Sequence, residues 1–411
     1  MRTKNNIPAG YKESAVGIIP QEWEVATLGK LVSITSGESP SLFNLRDIGK
    51  YPYIKVEDMN NCEKYQLLSR EYTDDERCAI QKGSIIFPKR GAAITNNKVR
   101  IAACPVYMDS NMMAITPNDL VCGDYLYFKI TYEQLFRIAD TSTIPQINNK
   151  HIIPYKICLP PLAEQRKIAE ILGVWDEAIE KQSRLIEKLE LRKRALMQRL
   201  LTGRTRLPGF TTPWQKVKLG EIGKFDKGAG VPKEKIVSEG CKAITYGEIY
   251  TKYDYVIKDF ASYIDSDTAQ TSKQISSGTI LFAGSGETLE DIGKCVAFID
   301  NDKAYAGGDI IVFNPTIEVD SLVLSYILNS PIAIAQKRRY GQGHSVVHIY
   351  QKDLARIEFE LPSLPEQKAI AEVLTAADNE VATHRKKLDA LRLQKRGLMQ
   401  QLLTGKTRVK I

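Results

Sequence analysis

One stretch of twelve residues occurs twice in this chain of 411 residues, and this repeat limits the possible folds more than any other feature. LMQRLLTGRTRL occupies residues 196–207 and LMQQLLTGKTRV occupies residues 398–409, an offset of 202 residues. An offset close to half the chain length indicates two similar halves. The fold is therefore expected to contain two copies of one structural frame.

The repeat extends upstream from the dodecapeptide and weakens toward the front of each half. LPPLAEQRKIAEIL (159–172) matches LPSLPEQKAIAEVL (361–374) without a gap, and STIPQINNKHI (142–152) matches HSVVHIYQKDL (344–354) more loosely. The front segments IPQEWEVATLGKL and TTPWQKVKLGEI also resemble each other. The pattern predicts two divergent globular heads, each followed by a nearly constant arm, with the bounds 1–158 (first head), 159–207 (first arm), 208–360 (second head) and 361–411 (second arm).

Each arm has the pattern of a long helix that packs against another helix along its length. From Ala163 to about Thr202 there is one glycine and no proline. Alternating steps of four and three residues select apolar side chains at eight of ten positions in each arm, which is typical of a coiled-coil seam. The polar exceptions fall at equivalent places in the two arms: Gln182, Lys193, His384 and Lys395.

A helix of about 38 residues is about 57 Å long, so the first arm is expected to carry the chain well away from the first head. An antiparallel second arm would bring the C-terminus back. We therefore predict a mixed α/β (α+β) protein in which two globular domains are separated by two long antiparallel helices that form a coiled coil with approximate twofold symmetry. The seam residues predicted to bind a partner are Ile168, Leu172, Trp175, Ile179, Leu189, Leu196, Ile370, Leu374, Val381, Leu391 and Leu398.

Both heads contain short segments with strand character, separated by turns rich in glycine and asparagine. The clearest of these predicted strand regions are 83–87, 92–104 and 112–117 in the first head and 278–282, 294–300 and 309–315 in the second.

Charge and cysteine content restrict the class of protein. The net charge of +8 lies mainly on the arms, so the nearly neutral heads would have to hold phosphates with local clusters of basic residues. Seven cysteines without a CxxC pair fit reduced thiols in a cytoplasm better than a disulfide framework or a zinc site. No apolar run reaches the roughly 18 residues of a membrane span, and the first residues lack the pattern of a signal peptide.

Polar loops at comparable places in the two heads contain the residue types that read DNA. Arginine and lysine contact phosphates or guanine, asparagine and glutamine pair with adenine, and serine or threonine contact either. The candidates in the first head are Lys89, Arg90, Asn96, Asn97, Lys98, Arg100, Thr143, Gln146, Asn148 and Lys150. Those in the second head are Lys233, Lys337, Arg338, Arg339, Gln342, His344, Ser345 and His348.

Two motifs raise the possibility of catalysis, and neither has the required chemistry. FAGSG (282–286) resembles the glycine loop that holds S-adenosylmethionine, and NPTI (314–317) resembles the Asn-Pro-Pro-aromatic loop of methyltransferases. Ile317 stands where an aromatic residue would stack on a flipped base. The pair His344 and His348 lacks a third metal ligand nearby. The residues therefore favour a chain without catalytic or metal residues, and a stand-alone adenine methyltransferase or a coiled-coil scaffold without DNA specificity are the alternatives.

The whole layout resembles the specificity subunit of type I restriction–modification enzymes. The resemblance rests on GYKESAVGIIPQEWEVATLG at the front and on the two LP…EQ…IAE arms that end in LTGRTRL and LTGKTRV. STIPQINNK and HSVVHIYQK match the polar loop that precedes each arm in that family. SGESPS (36–41) matches its Gly-x-Thr-Pro loop with Ser39 in place of threonine, and KGAGVPK (227–233) matches it less closely.

The resemblance implies a function for each part of the chain. Each head would be a target recognition domain that reads one half of a bipartite double-stranded DNA target. The arms would set the spacing and bind two methyltransferase subunits, and two restriction subunits could join. S-adenosylmethionine would then belong to the methyltransferase partner, and ATP and magnesium to the restriction partner. On this interpretation, changing the chain length at the LTG junction near Thr202 changes the gap between the half-sites.

Overall fold

The computed structural model describes residues 7–77, 79–343 and 346–411. The chain forms two compact units. Unit 1 consists of Met1–Leu185 with Arg385–Ile411, and unit 2 consists of Ile186–His384. Each unit therefore contains one head together with one half of each arm. No helix within the described residues is both long and apolar enough to cross a membrane.

The head of unit 1 is built from short strands and short helices. Its strands are β1 Tyr11–Ser14, β2 Gly17–Pro20, β3 Glu24–Thr27, β4 Val32–Ser36, β5 Tyr51–Ile54, β6 Tyr65–Gln66, β7 Tyr72–Thr73, β8 Ile85–Pro88, β9 Arg100–Ala102, β10 Tyr107–Met108, β11 Met112–Pro117 and β12 Lys156–Leu159. Its helices are α1 Leu28–Leu31, α2 Ala92–Thr95, α3 Gly123–Glu133, α4 Leu135–Ile138 and α5 Asn149–Ile152.

Strand β8 lies in the middle of the main sheet of the first head, in the order β4-β11-β8-β9-β6. Its side chains are buried on both faces, which explains its continuous run of apolar residues. The predicted strand region 92–104 is only partly correct, because Ala92–Thr95 forms α2. Gly91 has φ +80° and turns the chain out of β8, after which the two alanines favour a helix over a strand.

The head of unit 2 repeats this frame. Its strands are β13 Gln215–Lys218, β14 Gly223–Lys227, β15 Ile236–Val237, β16 Cys241–Ile244, β17 Ser262–Ile264, β18 Lys273–Ile275, β19 Thr279–Ala283, β20 Ser285–Gly286, β21 Cys295–Phe298, β22 Ala304–Ala306, β23 Ile310–Pro315, β24 Val347–His348 and β25 Glu358–Leu361. Its helices are α7 Tyr246–Thr251, α8 Ser266–Thr271, α9 Ser321–Leu328, α10 Pro331–Tyr340 and α11 Gln351–Leu354.

The sheet β14-β23-β19-β21 of unit 2 corresponds to β4-β11-β8-β9 of unit 1. In both heads the strand that precedes the arm pairs antiparallel with a strand from the beginning of the head. These pairs are β12 with β3 and β25 with β13. This pairing closes each head at the point where its arm begins. The predicted mixed α/β class is confirmed.

The arms are two long helices. Helix α6 spans Leu162–Leu200 in 39 residues and lies between the two heads in the chain. Helix α12 spans Leu364–Leu403 in 40 residues and follows the second head. Each ends at a glycine with positive φ, Gly203 at +65° and Gly405 at +72°. A left-handed glycine is a common helix stop because it has no Cβ to clash.

Within unit 1 the two arms run antiparallel. Ile168 and Leu172 near the start of α6 share one apolar core with Met399 and Leu402 near the end of α12. Farther along α6, Asp176 forms an ion pair with Lys395. The polar interruption at Lys395 is therefore matched by a carboxylate on the opposite helix.

Within unit 2 the same arrangement occurs with the helices exchanged. Leu200, which follows Leu196 by one turn at the end of α6, shares the core with Ile370 and Leu374 of α12. Lys193 forms an ion pair with Asp378. Because a polar seam residue is stable only opposite its own partner, these two Lys–Asp pairs favour a single register of the helices.

Candidate DNA interface

In the first head, the loop after β8 pairs with the polar segment that precedes the arm. Ile147 N donates to Lys89 O at 2.9 Å and Gly91 N donates to Pro145 O at 2.9 Å. Arg90 and Gln146 lie opposite each other in this short antiparallel pairing. Two candidate segments that are far apart in sequence, 89–91 and 145–147, are therefore brought together.

In the second head, FAGSG pairs with the equivalent segment. Ser285 and Gly286 form β20 and lie opposite His348 and Val347 of β24. Ile349 N donates to Gly284 O at 3.0 Å, and Ser285 Oγ lies 3.0 Å from His348 Nδ1. The glycine stretch thus belongs to the same backbone frame as the loop after β8 in the first head.

The two loop pairs share their backbone and differ in their side chains. Gln146 and His348 are related by the offset of 202 residues, and they lie opposite Arg90 and Ser285 respectively. A constant frame that presents different polar side chains is suited to reading two different base sequences.

Several candidates are exposed in or near these loops. Arg338 is paired with Glu290 at 2.8 Å, but both side chains are at least half exposed, so the pair contributes little and can exchange its partner. Lys98 donates to Asn60 at 2.7 Å. The exposed candidates are Arg90, Asn96, Thr143, Asn148, Lys150, Lys233, Arg338, Arg339 and Gln342. Four others are half-buried: Lys89, Lys98, Gln146 and His348.

Three candidates serve the structure of the head itself. Asn97 has φ +50°, donates to Thr131 O at 2.8 Å and accepts from Leu135 N at 2.9 Å. Arg100 is half-buried and donates to the carbonyl oxygens of Val99 and Met59. These side chains cross-link their own head, so their placement does not support the predicted contacts with bases.

Lys337 is the third. It is fully buried and its Nζ donates to Gly293 O at 2.7 Å. Burial lowers the pKa of Lys337 because desolvation disfavours the charged form. A buried amine held by a carbonyl cannot reach a phosphate, and this placement again does not support DNA contact. His344 and Ser345 lie outside the described residues.

The predicted partner-binding seam is occupied by internal packing. Four of the eleven predicted seam residues are almost completely buried in the cores of their units: Ile168, Leu172, Ile370 and Leu374. The other seven are buried or half-buried. The seam therefore holds the helices to each other and to the heads. A partner subunit would need another face of the arms.

Two leucines do lie on an exposed face of the arms. Leu191 of α6 is 62% exposed and Leu393 of α12 is 67% exposed. They are related by the offset of 202 residues, so unit 2 and unit 1 each present one. The heptad pattern did not identify them because it selects the opposite, buried side of each helix.

Sequence reasoning also missed a buried carboxylate at the start of each arm. In unit 2, Arg206 forms two hydrogen bonds to the Glu366 carboxylate at 2.6 and 2.7 Å, and Trp214 Nε1 donates to the same carboxylate at 2.9 Å. We call this three-residue cluster the clasp. It joins the segment that follows one arm to the first turn of the other arm.

Unit 1 contains the same clasp with residues from opposite ends of the chain. Arg408 forms two hydrogen bonds to the Glu164 carboxylate at 2.7 and 2.9 Å, and Trp23 Nε1 donates to it at 2.9 Å. Glu164 is completely buried. The signal in the sequence is the presence of all three residue types in both halves, Trp23, Glu164 and Arg206 in one and Trp214, Glu366 and Arg408 in the other.

Within the described residues there is no group of three or more His, Cys, Asp or Glu side chains arranged to hold a metal ion.

Comparison with known proteins places this architecture in one family. Residues 20–191 and 211–393 match the type I restriction modification DNA specificity domain. The MjaVIII type I restriction enzyme specificity subunit of Methanocaldococcus jannaschii is 25% identical over 427 residues, covering 97% of this chain and 96% of that protein. The putative MjaX specificity subunit of the same organism is 27% identical and covers 97% of each chain.

Solved structures share the fold. The type I restriction-modification S subunit from M. genitalium superimposes with a TM-score of 0.59 at 17% identity, over 93% of this chain and 96% of that one. A chain from a structure on complex assembly and conformational transition of the type I R-M system gives the same TM-score over 95% and 99% of the two chains.

The two family matches cover one head and most of one arm each, in agreement with the internal repeat. In this family the specificity subunit recognises DNA, and the catalytic activities lie on other subunits. The chain belongs to the family of type I restriction–modification DNA specificity subunits.

Proposed function

We propose that each head of this chain reads one half of a bipartite double-stranded DNA target through its paired loops. The observation that supports this most strongly is the pair of equivalent backbone frames, 89–91 with 145–147 and 284–286 with 347–349, that present different polar side chains. The arms would fix the gap between the half-sites. Recognition would occur in the cytoplasm.

The reacting groups would come from partner subunits. Two methyltransferase subunits would carry S-adenosylmethionine, and two restriction subunits with ATP and magnesium could join to form a nuclease. This chain would contribute the choice of target and the distance between the two methylated positions.

The direct test is to map N6-methyladenine across the genome of a methylation-free bacterial host. The host would express this chain alone or together with the methyltransferase subunit from the same operon. We expect methylation at a single bipartite motif only when both are present. Methylation by this chain alone would support the alternative of an intrinsic methyltransferase, and no methylation in either strain would support the scaffold.

The exposed leucines give a test of the number of methyltransferase subunits. Because Leu191 and Leu393 occupy equivalent positions on the two arms, the same partner is expected to bind at each. Leu191→Asp or Leu393→Asp is expected to leave complexes with one methyltransferase subunit, and the double variant with none. Mass measurement of the purified complex distinguishes these states. Unchanged stoichiometry in the double variant would contradict binding at this face.

Helix α10 offers a matched pair of basic residues for testing DNA contact. Arg339 is exposed and Lys337, two residues earlier, is buried. Arg339→Ala is expected to weaken DNA binding and to reduce the slope of log K against log salt by about one. Lys337→Met, measured well below its unfolding temperature, is expected to leave the slope unchanged. An equal change in both variants would contradict the proposed role of Arg339.

A further inference from the structure

Each head closes a small loop in front of its arm in the same way. In the first head, Asp140 and Gln146 exchange backbone hydrogen bonds, with N···O distances of 2.9 and 3.0 Å. In the second head, Gln342 and His348 exchange the corresponding bonds at 2.9 and 2.7 Å. Both closing pairs are related by the offset of 202 residues, so the loop ends are held by the constant frame while the side chains differ.

An apolar, β-branched side chain stands at the same place in both loops. Ile144 is 71% exposed, and Val346, again 202 residues later, is 51% exposed. A single exposed apolar residue needs no explanation. Here, however, both heads expose a β-branched residue at the same position, although the other residues of the two loops differ. Contact with water alone does not favour an apolar side chain, so this coincidence requires an explanation.

The loop around Ile144 is held firmly. Ser142 donates from its backbone N and from its Oγ to the Asp140 carboxylate at 3.0 and 2.8 Å. Pro145 restricts Ile144 to an extended backbone, and the β-branched side chain has few rotamers. Little entropy is therefore lost when the exposed methyl groups of Ile144 bind a ligand.

The surroundings of Ile144 are polar and basic. Arg90 lies opposite Gln146 in the pairing that closes the loop, and Arg90, Thr143 and Lys150 are exposed. An apolar group within such a set matches one feature of the DNA major groove. Among the four bases only thymine presents a methyl group there, beside polar atoms that arginine, glutamine and threonine can contact.

We infer that Ile144 is a specificity-determining residue that contacts the 5-methyl group of a thymine in one half-site, and that Val346 makes the equivalent contact in the other. This inference rests on the proposed function, since it assumes that the paired loops face DNA. It assigns the apolar part of recognition to a position that none of the polar candidates covers. Burying one methyl group against the side chain is expected to change affinity about three- to fivefold.

The test uses the complex of the full chain with its methyltransferase partner and synthetic duplexes that carry the mapped target. Each thymine of both half-sites is replaced in turn by deoxyuridine, which removes only the 5-methyl group. The unmodified complex is expected to lose about three- to fivefold in affinity at one thymine in each half-site. Ile144→Ala is expected to abolish that loss in one half-site and Val346→Ala in the other.

The two substitutions serve as controls for each other, and both residues are exposed, so neither change opens a cavity. Equal sensitivity to deoxyuridine in Ile144→Ala and the unmodified complex would overturn the inference, as would a half-site without thymine or an effect of both variants on the same half-site. A side chain inserted between bases would weaken thymine and deoxyuridine duplexes alike, which also contradicts a methyl contact. Absence of any target-specific binding by the unmodified complex would instead overturn the proposed function itself.

Discussion

Arg408→Met is expected to destabilise unit 1 by about 2–4 kcal/mol, because it leaves the buried Glu164 carboxylate without its cation. Arg408 supplies both of the charged hydrogen bonds to Glu164, and Trp23 would remain as the neutral donor. The lower part of the range applies if water enters where the guanidinium was, since the Arg408 side chain is 33% exposed. Denaturant unfolding followed by the fluorescence of tryptophan measures the effect.

Two further variants determine whether charge is the cause. Lys406→Met removes an exposed cation from the same segment and is expected to change stability by less than about 0.5 kcal/mol. Glu164→Gln combined with Arg408→Met removes the uncompensated charge and is expected to be more stable than Arg408→Met alone. If Arg408→Met were no more destabilised than Lys406→Met, the clasp would not hold the C-terminal segment in place.

Insertion of one heptad into both arms is expected to lengthen the gap between the half-sites by about three base pairs. Seven residues add about 10.5 Å of helix at about 1.5 Å each, and a base pair occupies about 3.4 Å. The insertions belong between Leu185 and Ile186 in α6 and between His384 and Arg385 in α12, where the compact units divide. Both half-sites should stay the same, because neither head is altered.

Methylation mapping of the variant measures this gap directly. An insertion into α6 alone is expected to abolish site-specific methylation, since the seam can then pair in only one unit. An unchanged gap in the double insertion would contradict the role of the arms as a spacer. The junction at Thr202, expected from sequence to set the gap, is a poorer place for insertion because Leu201 beside it is buried and Arg206 shortly after it is held by Glu366.

The arms illustrate what periodicity can and cannot predict. The heptad pattern located both helices to within about two residues of their observed ends, and it placed Lys193 and Lys395 in the seam. It did not identify Asp176 and Asp378 as their partners, because a carboxylate next to a seam position looks like any other polar residue until the opposite helix is in place. Nor did it identify the exposed Leu191 and Leu393, because it selects only the buried side of each helix.

In the loops, too, residue type predicts which segments are polar but not where each side chain lies in the folded head. In the first head, residue types marked both of the polar segments that the backbone pairing of 89–91 with 145–147 brings together. In the second head they did not mark FAGSG (282–286) as the partner of 347–349. Residue type did not distinguish Arg339, which is exposed, from Lys337, whose amine donates to Gly293 O. Both are basic residues on one helix, and only the packing of α10 against its head decides which of them faces solvent.

The sequence by itself determined the repeated frame, the two arm helices and the division into divergent heads and constant arms, because repeat offset and hydrophobic period are properties of the linear chain. Only the tertiary structure decided which residues complete the clasp in unit 1, where Trp23 and Arg408 come from opposite ends of the chain. It also decided which polar side chains of the paired loops remain exposed. The physical reason is that hydrogen-bond partners and burial depend on contacts between distant segments, which residue type alone does not specify.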